Sequence, residues 1–128
     1  MRKDRLTLPK VMIVDDDRTT TKLLQTLLEL DGFEVCVAAR GGDVIPLALK
    51  ERPDIFLMDY HLSDMDGVEV LRDLRAGAAN GIFVHAPIVM TSGLNVHDEV
   101  MEAGANDFLV KPFEPDELPM IFNRLLGG

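Results

Sequence analysis

A single cysteine, Cys36, stands among 128 residues. With no second thiol, an intrachain disulfide and a multi-cysteine metal site are both excluded. Basic residues are scarce: 13 Lys and Arg face 22 Asp and Glu, for a net charge of −9. A chain of that sign argues against electrostatic binding to nucleic acid or to an anionic membrane surface. No apolar run approaches the roughly 20 residues of a membrane span. The opening MRKDRLTLPK is basic, but no apolar stretch follows it, so it lacks the form of a signal peptide. Neither GxGxxG nor the GxxxxGK phosphate loop occurs, and Gly41-Gly42 is too short and wrongly placed for one. His61, His85 and His97 are scattered without ligand spacing, and there is no internal repeat or low-complexity segment. A soluble, cytoplasmic protein is expected.

What is present is globular. Hydrophobic residues make up 47% and charged residues 27%, ordinary values for a folded chain. The length suits one domain, able to bury roughly two thirds of its unfolded surface. Four short apolar runs stand out: VMIV at 11–14, IFLM at 55–58, IVM at 88–90 and FLV at 108–110. None alternates with polar residues, and each is bounded by Pro, Asp or Gly. Such runs read as strands buried on both faces, the habit of parallel sheets. Residues 33–39 form a weaker fifth candidate.

Helical spacing fills the gaps. Thr20, Leu23, Leu24, Leu27, Leu28 and Leu30 make a stripe that Gly32 ends. Asp43 is placed to cap a second helix with Val44, Ile45, Ala48 and Leu49 inward, and Pro46 in its first turn. A third runs from Gly67 with Val68, Leu71 and Leu74 inward. A short fourth lies near 96–103. The fifth carries Leu118, Ile121, Phe122 and Leu125, with Pro119 implying a late start or a kink. Residues 76–86 read as one long loop. Five strands alternating with five helices, joined by right-handed crossovers, predict a three-layer, doubly wound α/β domain with a parallel five-stranded sheet.

In such folds ligands bind beyond the carboxyl ends of the strands. There the chain places Asp15, Asp16 and Asp17, then Asp59, then Thr91 and Ser92, then Lys111. Taken singly, each has an ordinary role: Asp17 as a helix cap, Asp59 as a turn residue, Lys111 as a solvated lysine. Taken together, Asp15, Asp16 and Asp59 carry about −3 if ionised, and converging carboxylates need a cation. A divalent ion and Lys111 bring the total to zero. Oxygen-only donors favour Mg2+ over Zn2+. A phosphoryl group there would lie among metal, ammonium and hydroxyl, as phosphoryl transfer requires.

These residues resemble the receiver domain of two-component response regulators over about residues 10–126. The segments that carry the likeness are VMIVDDD (11–17), RPDIFLMD (52–59), DMDGVEVLRDLR (64–75), PIVMTSG (87–93) and EAGANDFLVKPF (102–113). Residues 1–9 then form a leader and 127–128 a tail. The resemblance implies the flavodoxin-like (βα)5 fold with strand order 2-1-3-4-5. It implies Asp59 as the phosphoacceptor, and Asp16 with Asp15, Asp59 and the backbone carbonyl of His61 as the Mg2+ site. Lys111 would contact the phosphoryl group. Ser92, counted from Pro87, would be the switch hydroxyl, with Thr91 as the fallback. Phe108 resembles the switch aromatic, and the bond before Pro112 is expected to be cis. The partners implied are a sensor histidine kinase or phosphotransfer protein and an output partner of unknown identity, with no nucleic acid or membrane contact by this domain and a homodimer left open. The domain would catalyse only its own phosphorylation and dephosphorylation. Two departures stand out: Ser63 occupies a position that commonly holds proline, which implies a looser loop, and the stretch from Ser92 to Gly104 is short, which implies a fourth helix of about two turns.

Two other functions fit parts of the sequence less well. Asp15-Asp16-Asp17-Arg18-Thr19 satisfies the Asp-x-Asp-x-Thr motif of haloacid-dehalogenase-like phosphohydrolases, but the late strand carries Lys111-Pro112-Phe113 where that class needs acidic residues. A pseudo-receiver that only binds a partner is opposed by the full set Asp15, Asp16, Asp59, Ser92 and Lys111.

Overall fold

The computed structural model describes residues 8–127; of the expected leader and tail, residues 1–7 and 128 lie outside the described residues. The elements are β1 (Lys10–Val14), α1 (Arg18–Leu30), β2 (Glu34–Ala38), a 3-10 turn (Gly41–Asp43), α2 (Val44–Glu51), β3 (Ile55–Asp59), α3 (Gly67–Arg75), β4 (Ile88–Ser92), α4 (His97–Glu102), β5 (Asp107–Val110) and α5 (Glu117–Leu125). The strands form one parallel sheet in the order β2-β1-β3-β4-β5. No described helix is long and apolar enough to cross a membrane.

Three of the four uninterrupted apolar runs are the central strands β1, β3 and β4, and β3 and β4 are buried along their whole length. The fourth run, 108–110, lies in the edge strand β5, where Val110 is 48% exposed, so the expectation of burial on both faces fails there. Side chains alternate between two cores. Met12, Val14, Phe56, Met58, Ile88 and Met90 pack with α2, α3 and Val100 of α4. Val11, Ile13, Ile55, Leu57 and Val89 meet Leu24 and Leu28 of α1 and Leu118 and Phe122 of α5. Covering both faces is what makes alternation vanish from the sequence. The edge strand β2 is only half-buried, which is why its signal is the weaker one.

Several expectations need correction. The leucine stripe of α1 is wider than the contact it makes. Thr21, Leu24 and Leu28 are buried, whereas Leu23 and Leu30 are 54% and 79% exposed. At 100° per residue Leu23 and Leu30 fall on one flank of the arc, outside the sheet contact. Asp43 stands at the N-cap position of α2 but its side chain makes no cap bond: the preceding 3-10 turn brings it in with near-helical angles, and its carboxylate faces Arg40 at 3.9 Å. Pro119 is the third residue of α5, in the first turn, where a missing N–H leaves no bond unmade, so the late start suffices. The loop after α3 is not featureless. Ala79 and Phe83 are buried, and the Phe83 ring stands edge-on to Phe56 at 5.4 Å. Arg75 fastens this loop. Its guanidinium donates to the carbonyls of Phe83 (3.2 Å), Val84 (3.1 Å) and Gly104 (2.9 Å) and to Asn106 Oδ1 (2.9 Å). Asn106 Oδ1 also accepts the Ile88 N–H at 2.9 Å.

At the other end of the sheet the chain is equally close-packed. A Cβ on Gly67 would lie 2.1 Å from the Asp59 carbonyl oxygen, so α3 can begin against β3 only with glycine there. The short fourth helix is realised as six residues, with Val100 its one buried side chain. Val96 and Met101 are partly buried beside it; Leu94 is 62% exposed and does not help to cover the sheet. The Lys111-Pro112 bond is cis.

Candidate functional site

Because β1 and β3 are neighbours and parallel, the residues at their carboxyl ends arrive side by side. Carboxylate oxygens of Asp15, Asp16 and Asp59 all lie within 4.8 Å of one another. Asp15 and Asp59 are buried and Asp16 is exposed. Lys111, arriving from β5, places its ammonium 3.1 Å from Asp59 Oδ2 and 3.3 Å from Asp15 Oδ2. Burial pushes the Asp15 carboxyl above its ordinary value, against the pull of the Asp17 N–H and Lys111. Burial also works against the Lys111 ammonium, but the hydrogen bond and charge of Asp59 and the charge of Asp15 outweigh it, and Lys111 ends above its ordinary value.

The three consecutive aspartates divide their work. Asp15 Oδ1 accepts the Asp17 N–H at 2.9 Å. Asp17 turns away and caps α1, accepting from the N–H groups of Thr19 (3.0 Å) and Thr20 (3.2 Å). Those bonds hold it below the ordinary carboxylate value. An Asp15–Asp17 pair, as the phosphohydrolase reading needs, is therefore not assembled.

The two hydroxyls of β4 sit differently. Thr91 is in register with Asp59 and lines a small cavity together with Asp15, Asp59 and Lys111. Ser92 is fully buried, and its Oγ accepts the Leu94 N–H at 3.0 Å. The His61 N–H lies 3.4 Å from Asp59 Oδ1. Phe108, on β5, is half-buried, with its ring 6.2 Å from that of His97 in α4.

Three contributors carry no signal of their own in the sequence. The Tyr60 hydroxyl donates to Glu99 Oε1 at 2.8 Å, tying the loop after β3 to α4; that bond raises the tyrosine above its ordinary value. Asp64, in the same loop, docks on the Gly41-Gly42 backbone. The glycine pair is thus a cradle, for a carboxylate of this chain. The loop that Ser63 was expected to loosen is held at Tyr60 and at Asp64.

Chemically, the cluster offers hard oxygen donors, excess negative charge and no His or Cys, a set suited to a small divalent cation such as Mg2+. The Lys111 ammonium stands next to it and the Thr91 hydroxyl lines the same small cavity, as a site for a phosphoryl group would need.

The profile of the response regulator receiver domain matches residues 11–123. The transcriptional regulatory protein PrrA of Mycobacterium bovis is 40% identical over 123 residues, covering 94% of this chain and 51% of PrrA, so the chain spans about half the length of that relative. Among solved structures, the receiver domain of the Francisella response regulator 1452 superposes with a TM-score of 0.84 at 30% identity, covering 93% of this chain and 97% of that one. The receiver domain of the sensor histidine kinase PA1611 of Pseudomonas aeruginosa PAO1, with a magnesium ion coordinated in its active site cleft, gives 0.83 at 29% identity, covering 95% and 100%.

Proposed function

Since the chain belongs to the receiver domain family of two-component response regulators, we propose that it accepts a phosphoryl group on Asp59 and passes that state to a partner. The observation that carries this reading is the Lys111 ammonium seated between Asp59 and Asp15 within the carboxylate cluster. The receiver unit spans residues 10–126, with 1–9 as leader and 127–128 as tail. A sensor histidine kinase or phosphotransfer protein is the donor, in the cytoplasm, and the domain is a switch whose only chemistry is its own phosphorylation and dephosphorylation.

In the transfer, a carboxylate oxygen of Asp59 attacks the phosphorus of a phosphohistidine. One P–O bond forms, the P–N bond breaks, and the imidazole leaves with the electron pair. When bound, Mg2+ supplies neutralisation of the phosphoryl oxygens; Asp15, Asp16, Asp59 and the His61 carbonyl are the groups that would hold it. Lys111 contacts the phosphoryl group and offsets the charge on the cluster. Ser92 uses its oxygen to accept from Leu94, which leaves the O–H free to donate to a phosphoryl oxygen. Thr91, facing the carboxylates, is the alternative donor. Phe108 is the aromatic whose position follows that hydroxyl and carries the change to α4 and β5.

Incubation with acetyl phosphate and Mg2+ tests the reading by intact mass. One phosphoryl group should be gained, then lost with Asp59→Asn or EDTA. Labelling that survives Asp59→Asn but not Asp17→Asn would overturn it. Ser92→Ala and Thr91→Val, compared in the same assay, identify the hydroxyl that contacts the phosphoryl group.

A further inference from the structure

The loop after β3 and the 3-10 turn before α2 are joined by one carboxylate. Asp64 Oδ1 accepts the Gly41 N–H at 2.9 Å and Oδ2 accepts the Gly42 N–H at 2.8 Å. The fit is tight. A Cβ on Gly41 would stand 2.5 Å from Met65 Cγ, and one on Gly42 would stand 3.3 Å from Asp64 Oδ2. The two N–H groups hold Asp64 below the ordinary carboxylate value, so at neutral pH both oxygens are acceptors.

The neck of the loop is fixed separately. The Tyr60 N–H donates to the Thr91 carbonyl at 2.8 Å, and the Gly67 N–H to the Tyr60 carbonyl at 2.5 Å. Between neck and tip lies His61, paired with Asp66 across the loop, its N–H 3.4 Å from Asp59 Oδ1. Contact with Asp59 at that length is too long to hold a backbone by itself. The Leu62 N–H also donates to the Met65 carbonyl at 3.2 Å, closing the turn on itself, and the anchor at Asp64 ties this closed turn to the 3-10 turn before α2.

We infer that Asp64 is a positioning residue for the cation site: seated in the Gly41-Gly42 cradle, it fixes the backbone of His61 beside Asp59. The inference rests on the reading that Asp15, Asp16, Asp59 and the His61 carbonyl hold Mg2+. Asp64 touches neither the ion nor the phosphoryl group, and its effect passes through the loop. Groups that orient a metal ligand without binding the metal commonly change affinity by about tenfold or more.

The chain provides its own probe. Tyr60 is the only tyrosine and there is no tryptophan, so tyrosine emission reports on the residue next to Asp59. Titration with MgCl2 should give a half-saturation about tenfold higher in Asp64→Asn than in the wild-type domain. Gly42→Ala, which pushes on the same carboxylate from the other side, should shift it in the same direction and serves if Asp64→Asn does not fold. Labelling by acetyl phosphate at saturating Mg2+ should run at the wild-type rate in both. Wild-type Mg2+ affinity in the two variants, whatever their melting temperature, would overturn the inference and leave Asp64 a purely structural anchor. So would an unchanged half-saturation with a slower labelling rate at saturating Mg2+. Absence of saturable Mg2+ binding in the wild-type domain, or an Asp16→Ala titration identical to wild type, would instead remove the site reading itself and this inference with it.

Discussion

Replacing Lys111 by methionine keeps most of the apolar stem and removes the charge. What remains is a cluster of three carboxylates, two of them buried, without its internal cation. At an effective dielectric of about 20, a unit pair at 3.1 Å has a gross attraction of about 5 kcal/mol. Desolvation opposes most of it, and the lysine side chain is 32% exposed. The net loss should fall between the roughly 0–1 kcal/mol of an exposed pair and the 3–5 kcal/mol of a fully buried one. We expect about 2 kcal/mol, a fall in Tm of roughly 6–10 °C for a domain of this size. The informative comparison is with metal. A ligand at 100 times its Kd stabilises by about 2.7 kcal/mol, and Mg2+ should bind the uncompensated cluster of Lys111→Met more tightly than the wild-type one, because no ammonium competes with it for the carboxylates. Thermal unfolding in EDTA and in excess MgCl2 should therefore show a wide gap between the two proteins that narrows in Mg2+. About 1 M NaCl should also narrow it, since screening relieves carboxylate repulsion at the exposed rim. A gap of equal size in EDTA, Mg2+ and high salt would mean that Lys111 stabilises by packing alone, and would refute the charge-balance argument.

Asp16→Ala should weaken Mg2+ binding far more than Asp17→Ala, whereas Asp17→Ala should cost stability on the order of 1 kcal/mol as a lost cap; tyrosine-monitored titration and urea unfolding separate the two. Hydrogen exchange should be fastest across residues 93–103, where α4 has six residues and no side-chain cap, and should slow on adding beryllofluoride; slow exchange in both states would contradict this. Burial pushes the Cys36 thiol up to about 11, so its thiolate is scarce at neutral pH and rises only as pH nears that value. Reaction with a disulfide reagent at pH 8 should be much slower than in the urea-unfolded chain, where the thiol returns to its ordinary range.

The parts legible in the sequence are those set by repetition and by strand ends. β1, β3 and β4 are covered on both faces, so their residues had to be apolar without interruption, and Asp15, Asp59 and Lys111 stand out against that background. Parallel order then brings them within bonding distance with no further information needed. Contacts between loops carry no such period. Asp64 reaches Gly41 across 23 positions, and Tyr60 reaches Glu99 across 39. Neither pairing has a spacing that a helix or strand would impose. The leucines of α1 show the opposite failure: the periodicity is real, but a helix on a twisted sheet touches it over a narrower arc than its apolar residues span, leaving Leu23 outside. For β4, both hydroxyls are visible in the sequence, and only the pleat separates them, Thr91 toward the carboxylates and Ser92 toward α4.

Arg75 gives the domain one fixed end. By gripping Gly104 and Asn106 together with Phe83 and Val84, it rivets the carboxyl end of α4 and the entries to β4 and β5 to the last turn of α3, at the amino ends of the strands, opposite the carboxyl end that carries Asp59. The amino end of α4 is held by Tyr60 on Glu99 from the loop side and by the Phe108 ring beside His97. α4 is therefore fastened at its carboxyl end by a half-buried guanidinium with four acceptors and at its amino end by one tyrosine hydroxyl and one ring contact. On the proposed reading, a displacement passed on from Ser92 should therefore be larger around His97 than around Ala103.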